Sequence, residues 1–379
     1  MKWFLLVWAS IAVVLVVLAL VVGGEGSRPI ISPRGALDAT GAPAPNPANR
    51  LSVRMLAGER IITGYTGTTV PEWLLALVRR GDVGGVIVYA ANVASTSALA
   101  AQMGRLQAAA RPLGLGPLLT LIDQEGGEVK RLQGPPNGSA AEMATRGTRW
   151  VRRQGLATAA LLRSAGINVD LAPVADLSRP GGFERATERS FGATPGTAGP
   201  LSAAFATGLQ AGGVAATLKH FPGLGSVTQD QDLYPQTVTL SLGVLRRSDE
   251  QAFVPGISAG THLVLISTAR YRALASVPAV IAPAVITGEL RDRLGFTGVV
   301  VTDDLDVPSL SSFGTPAELG VRATLAGADL LVFAHQPADI EAEIAALTNA
   351  VHTGRVSQTT LVASARRTLA LRADLAAGP

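Results

Sequence analysis

Short, almost unbroken apolar runs alternate along this chain with longer stretches in which Ala, Leu and Arg recur at helical spacing. The runs fall at residues 60–64, 85–89, 117–123, 168–174, 215–220, 262–267, 298–303 and 329–334. Each has the length of a strand. Apolar residues at nearly every position, rather than at alternate ones, mark strands buried on both faces. Residues 97–110 and 151–165 lie between such runs and carry helical spacing. Strand–helix alternation of this kind predicts an α/β fold with a parallel sheet. Eight such units predict a (β/α)8 TIM barrel, although an open doubly wound sheet has the same local pattern.

The N-terminus follows a different rule. Residues 3–22 are apolar apart from Ser10. About 20 such residues in a helix span roughly 30 Å, the hydrocarbon thickness of a bilayer. Lys2 precedes the run and little positive charge follows it before Arg28, which predicts an N-terminus in the cytoplasm and a body outside it. The reading is a transmembrane or signal-anchor helix over residues 1–22. The alternative is a cleaved signal peptide, but the run is longer than the usual ~7–15-residue apolar core and lacks a clean small-x-small site. Residues 23–50, rich in Gly, Pro, Ala and Ser, read as a flexible linker. The barrel domain is expected over residues 51–379.

Composition narrows the function. Hydrophobic residues make up 47% of the 379 and charged residues only 16%, so the chain is neither disordered nor fibrous. It has no cysteine, which excludes disulfides, thiol catalysis and cysteine zinc sites. The net charge of +4 comes without any Lys/Arg run able to track phosphates, so no nucleic-acid partner is expected. The histidines, His220, His262, His335 and His352, lack ligand-like spacing, and neither a metal nor another cofactor is expected. Lys2, Lys130 and Lys219 are the chain's lysines, so a lysine within a motif is unusually informative here.

Several runs end in chemically capable residues. The third leads into Asp123-Gln124-Glu125-Gly126-Gly127, the fifth into Lys219-His220-Phe221-Pro222-Gly223, and the seventh into Asp303-Asp304. One aspartate after a strand is usually a helix cap. Three such endings at the C-terminal ends of barrel strands converge on the mouth where barrel active sites lie. Carboxylates beside Lys, His and Arg suit a sugar, supplying donors and acceptors for hydroxyls and an attacking group or acid for the glycosidic bond. No phosphate loop is present.

At this point the motifs resemble glycoside hydrolase family 3. Asp123 through Arg131 looks like its Asp-x-Glu-Gly-Gly-x-Val-x-Arg segment, and residues 168–177 like its Ala-Pro-Val-x-Asp strand. Glu188-Arg189-Ser190-Phe191-Gly192 matches its Arg-Ser-Phe-Gly, and Lys219 through Gly223 gives the most specific match. The resemblance covers about residues 51–370 and is nearest to the single-domain β-N-acetylhexosaminidases. It implies a retaining mechanism with Asp303 as nucleophile. It also implies that Asp123, Arg131, Arg189, Lys219 and His220 grip the sugar. The expected substrate is a small carbohydrate, a terminal β-N-acetylglucosaminide of cell-wall peptidoglycan fragments. Asp304 is expected to point elsewhere, as a cap.

The sequence departs from that family at the acid/base. Relatives carry an Asp-x-His pair after strand five; here Asp230 matches the aspartate and Asp232 stands in place of the histidine. Leu224, Thr268 and Glu128 likewise replace His, His and Arg. Two close carboxylates cannot both ionise cheaply, so Asp232 is expected to hold a proton and serve as the acid. The alternative is a catalytically impaired sugar-binding homologue that keeps the grip and has lost proton transfer.

Overall fold

All eight apolar runs form strands, and these close into one barrel. The strands are β1 (Ile61–Thr63), β2 (Gly85–Val88), β3 (Leu119–Ile122), β4 (Val169–Asp170), β5 (Ala215–Phe221), β6 (Leu263–Ile266), β7 (Val299–Asp304) and β8 (Leu330–Phe333). Every neighbour pair in the barrel is parallel, and β1 pairs with β8 to close the circle. That closure decides against the open sheet. The computed structural model describes residues 47–334 and 339–378, so the expected anchor at residues 1–22 lies outside the described residues, as do residues 23–46 of the expected linker. Among the described residues no helix is long and apolar enough to cross a membrane. The described residues open with a turn, Pro47–Arg50, a few residues ahead of the expected boundary, with Ala48 buried and Asn49 accepting a hydrogen bond from Arg366.

Helices follow the strands in turn: α1 (Glu72–Arg80), α2 (Thr96–Ala110), α3 (Gly147–Ser164), α4 (Pro195–Ala211), α5 (Val254–Ser258), α6 (Ala284–Arg293), α7 (Pro316–Ala326), α8 (Ile340–His352) and a last helix α9 (Gln358–Ala377). Their starts follow ordinary capping chemistry. Ser95 accepts from the Ala98 N–H at the start of α2, and Ser357 does the same for Thr360 at α9. α1 ends on Gly81 at φ 72°, a backbone that glycine adopts at little cost.

Strand side chains alternate between two separate cores, as the period of two requires. Ile62, Ile87, Leu119, Leu121, Val169, Ala215, Leu263, Val299, Val301 and Leu330 belong to one cluster, which fills the barrel. Their neighbours Ile61, Val86, Ile122, Ala216, Val264, Val300 and Leu331 belong to a second cluster, shared with the helices. This double burial is why the strands read as continuous apolar runs. The lumen is crowded: a side chain at Gly85 would meet Ile62 at 2.7 Å and the Leu119 carbonyl at 2.8 Å. At the other end of the chain, Arg372 of α9 is almost wholly buried. It donates to the Glu59 carboxylate at 2.6 Å, the Pro117 carbonyl at 2.8 Å and the Gly116 carbonyl at 3.0 Å.

Candidate active site

The inward parity of the strands carries directly into the mouth. Leu119 and Leu121 point inward and Asp123 follows at the next inward position; Ala215 leads by twos to Lys219, and Val299 and Val301 lead to Asp303. Asp304 has the opposite parity, but a register shift in β7 ahead of it lets it line the same cavity, against the expectation that it points elsewhere. His220 falls at the other parity; the Lys219–His220 peptide bond is cis, and both side chains line the mouth. The cavity there has a volume of about 230 Å3. Its wall includes the expected gripping residues Asp123, Arg131, Arg189, Lys219 and His220. Asp230, Asp232 and Asp303 line the same cavity.

The gripping half is an alternating lattice of charge. Lys219 Nζ lies 2.6 Å from Asp123 Oδ1 and 2.6 Å from Glu125 Oε1. Arg189 forks onto Glu125 through Nε at 2.8 Å and a second nitrogen at 2.9 Å, and reaches Glu184 at 3.0 Å. Arg131 sits 3.6 Å from Asp123 Oδ2 and over the Tyr89 ring. Burial alone would push Asp123 and Glu125 up, but Lys219 with Arg131, and Arg189 with Lys219, outweigh it and hold both carboxyls below their usual range. The same pairs raise Lys219 and Arg189 against the pull of burial. These charges are fixed before any ligand arrives, which is what orientation of hydroxyls requires.

Glu125, Asp176 and Glu184 were not among the expected site residues. Glu125 had a signal, since it continues the parity of Leu121 and Asp123. Asp176 had one too, as the acid of the Ala-Pro-Val-Ala-Asp segment. Its Oδ2 accepts from the His220 N–H at 3.1 Å and lies 2.7 Å from His220 Nδ1, and its Oδ1 accepts from the Leu224 N–H at 2.6 Å. An acceptor in that position fixes the proton on Nδ1 and leaves Nε2 as the other working atom. Burial lowers His220, but Asp176 reverses it and the net shift is upward. Asp176, Glu184 and His220 bring potential ligand atoms within 4.8 Å of one another, a grouping that histidine spacing could not reveal. Both Asp176 oxygens are already occupied by N–H donors, so the trio reads as a hydrogen-bonded support for His220 rather than a cation cage. Leu224 is buried and supplies its backbone N–H to this support.

The opposite half gathers acids. Asp303 Oδ1 accepts from the Asp304 N–H at 3.0 Å, and Oδ2 accepts from Gln231 Nε2 at 2.7 Å. Burial raises Asp303 above the usual carboxylate range despite the opposing pull of His220 and Lys219. Asp230 accepts from the Asp232 N–H at 2.9 Å and so shapes the turn. Asp232 Oδ1 is buried with no hydrogen-bond partner among the described residues. Burial, then the charges of Asp303, Asp230 and Asp304, push the Asp232 carboxyl well up. Asp304 Oδ1 accepts from the Asp306 and Ala334 N–H groups at 3.2 and 3.3 Å, so it caps a turn rather than a helix and ties β7 to the end of β8.

A barrel mouth that sets buried acids opposite a charged lattice suits a hydrolase acting on sugars. The N-terminal domain of glycosyl hydrolase family 3 matches residues 68–371, and the chain belongs to that family and is a glycoside hydrolase. It is 37% identical over 341 residues to an uncharacterized secreted glycosyl hydrolase of Arthroderma benhamiae, covering 87% of this chain and 96% of that one. The family 3 β-N-acetylglucosaminidase of Paenibacillus sp. superposes with a TM-score of 0.81 at 33% identity, over 86% of this chain and 63% of that one. The β-N-acetylhexosaminidase of Beutenbergia cavernae superposes at 0.79 with 30% identity, over 85% of this chain and 99% of that one.

Proposed function

We propose that the protein is a retaining glycosidase that removes terminal β-N-acetylglucosamine from cell-wall peptidoglycan fragments, with Asp303 as nucleophile and Asp232 as acid/base. The observation that carries this reading is the division of one cavity into a charged lattice around Lys219 and a pair of acids, Asp303 and Asp232, whose environments differ. In the first step an Asp303 oxygen bonds to the anomeric carbon as the glycosidic C–O bond breaks. The Asp232 proton passes to the leaving oxygen. In the second step the Asp232 carboxylate takes a proton from water, whose oxygen displaces Asp303. Asp123, Glu125, Arg131, Arg189, Lys219 and His220 hold the ring hydroxyls throughout. The names of the Paenibacillus and Beutenbergia relatives support the N-acetylhexosamine substrate. The apolar run at residues 3–22 supports a membrane tether with the body outside the cytoplasm. The secreted Arthroderma relative supports an extracytoplasmic place, and residues 1–22 would be lost from the mature chain if they are a signal peptide. Protein partners carry no signature in either sequence or site.

One observation favours a second reading, a sugar-binding homologue without turnover: an aspartate fills the histidine position. A pH series of aryl β-N-acetylglucosaminide hydrolysis by the full chain separates the two. Turnover that disappears in Asp303→Asn supports the enzyme. Sugar binding without turnover at any pH supports the binding protein.

A further inference from the structure

Gln231 lies between Asp230 and Asp232 on the loop after β5, and it is almost wholly buried. Its side chain is clamped at both ends. Oε1 accepts from Ser267 Oγ at 2.6 Å and from the Thr268 N–H at 3.2 Å, while Nε2 donates to Asp303 Oδ2 at 2.7 Å. An amide's oxygen and nitrogen are told apart by their partners. The Thr268 backbone can only donate, so it fixes the oxygen at that end and turns the NH2 group toward Asp303. The Gln231 carbonyl also accepts from Thr268 Oγ1 at 3.2 Å. Gln231 thus ties the loop after β5 to the segment after β6 and to the Asp303 carboxylate.

The consequence is asymmetric. Asp303 receives donors on both oxygens, from Gln231 and from the Asp304 backbone, and donors favour the ionised form. Asp232 Oδ1 receives none among the described residues. The charged and titratable groups facing Asp303 are Lys219 and His220 from β5, Asp123 from the end of β3, Tyr89 from the end of β2, its neighbour Asp304 and Asp232 from the loop. We propose that Gln231 is a positioning residue that keeps Asp303 ionised and in line for attack, and thereby assigns the proton of the acid pair to Asp232. This rests on the reading of Asp303 as nucleophile and Asp232 as acid.

The test compares the full chain with its Gln231→Met and Ser267→Ala variants. Met keeps the volume and removes the donor; Ser267→Ala leaves the donor but loosens the clamp. The substrate is an aryl β-N-acetylglucosaminide with an activated leaving group, which needs little protonation, so the acid limb of kcat/KM reports Asp303 alone. In Gln231→Met that limb is expected to move up by about one pH unit, with kcat about tenfold lower and KM little changed. Ser267→Ala is expected to shift it in the same direction by less. An acid limb that stays in place, with kcat unchanged or lowered equally at all pH, overturns the proposal. A carbon-13 titration of aspartate carboxyls, assigned with Asp303→Asn, gives the same answer without turnover. A raised Asp303 midpoint in Gln231→Met supports the role even if the glycosidase reading fails, and an unmoved midpoint overturns it.

Discussion

Asp123 and Glu125, on the β3 side of the mouth, have Lys219, Arg131 and Arg189 for neighbours, whereas Asp232, on the β5 loop, has Asp303, Asp230 and Asp304. Burial pushes Asp123, Glu125, Asp232 and Asp303 toward the neutral form. The cations on the first side reverse that push; the acids on the second side add to it. One residue type thus takes two roles a few side chains apart. Where charges alternate, the carboxyls are held below their usual range. Where acids gather, burial and like charge push the Asp232 carboxyl well up.

The comparison is broken most severely at the attacking carboxylate. Asp303→Asn is expected to cut turnover of an aryl glycoside by at least about 10⁴-fold, read from initial rates, with sugar affinity retained. Lys219→Met attacks the other half, leaving Asp123 and Glu125 face to face without their shared cation. It should cost about 10²–10³-fold in kcat/KM and, because a buried pair loses one partner, about 3–5 kcal/mol of stability by denaturant melts. Asp232→Asn tests the acid role through leaving-group dependence. The loss should be about 10²-fold on a disaccharide and under about tenfold on an activated aryl glycoside. The pH profile sharpens the same point. In the proposed mechanism Asp303 acts ionised, and because it is shifted up, activity should fall on acidification earlier than for an ordinary aspartate. Asp232 acts protonated there and is shifted up, so activity should fall again only at higher pH, and Asp232→Asn should flatten that basic limb.

The smallest effect concerns stability below the mouth. Asp170 of β4 is fully buried, with Oδ1 accepting from the Gln124 N–H at 2.9 Å and Oδ2 without a partner among the described residues, and burial pushes it up to about 8. A carboxyl raised on folding contributes its full stability below the unfolded value, and that contribution is lost as pH rises toward the folded one. Asp170→Asn keeps the Oδ1 acceptor and cannot ionise. It should stabilise by about 1–2 kcal/mol at pH 8, with the difference vanishing near pH 4, measured as melting curves across pH.

The barrel was legible because its strands are buried on both faces and therefore declare themselves as apolar runs; all eight fell where the pattern placed them. Asp123, Lys219 and Asp303 were legible for the same reason, as chemistry at the ends of those runs. The open-sheet alternative could not be removed from sequence, since closure depends on β1 meeting β8 across the whole chain. Glu125 was missed although the parity of β3 pointed to it. Glu184 lies on the single helical turn Phe183–Ala186 and Gln231 on a loop, where no period relates position to direction; Glu184 takes its role from nearby Arg189, and Gln231 from Asp303 and Ser267 far along the chain. The ends of the described chain remain ordinary by comparison: the turn at Pro47–Arg50 was simply counted as linker because Pro and Asn there resemble the segment before it.

The seam between β1 and β8 bears on the order in which this protein is made. Ile61, Ile62 and Thr63 find their partners in Leu331, Val332 and Phe333, and Glu59 finds its guanidinium in Arg372. A ribosome delivers the first members of these pairs long before the last. Until then the nascent sheet has an open edge along β1, and the Glu59 carboxylate that the folded barrel buries has no cation. Closure therefore waits on β8, and a chain stopped short of Leu331 would keep its unpaired edge available to other chains, while Glu59 waits longer still, for Arg372.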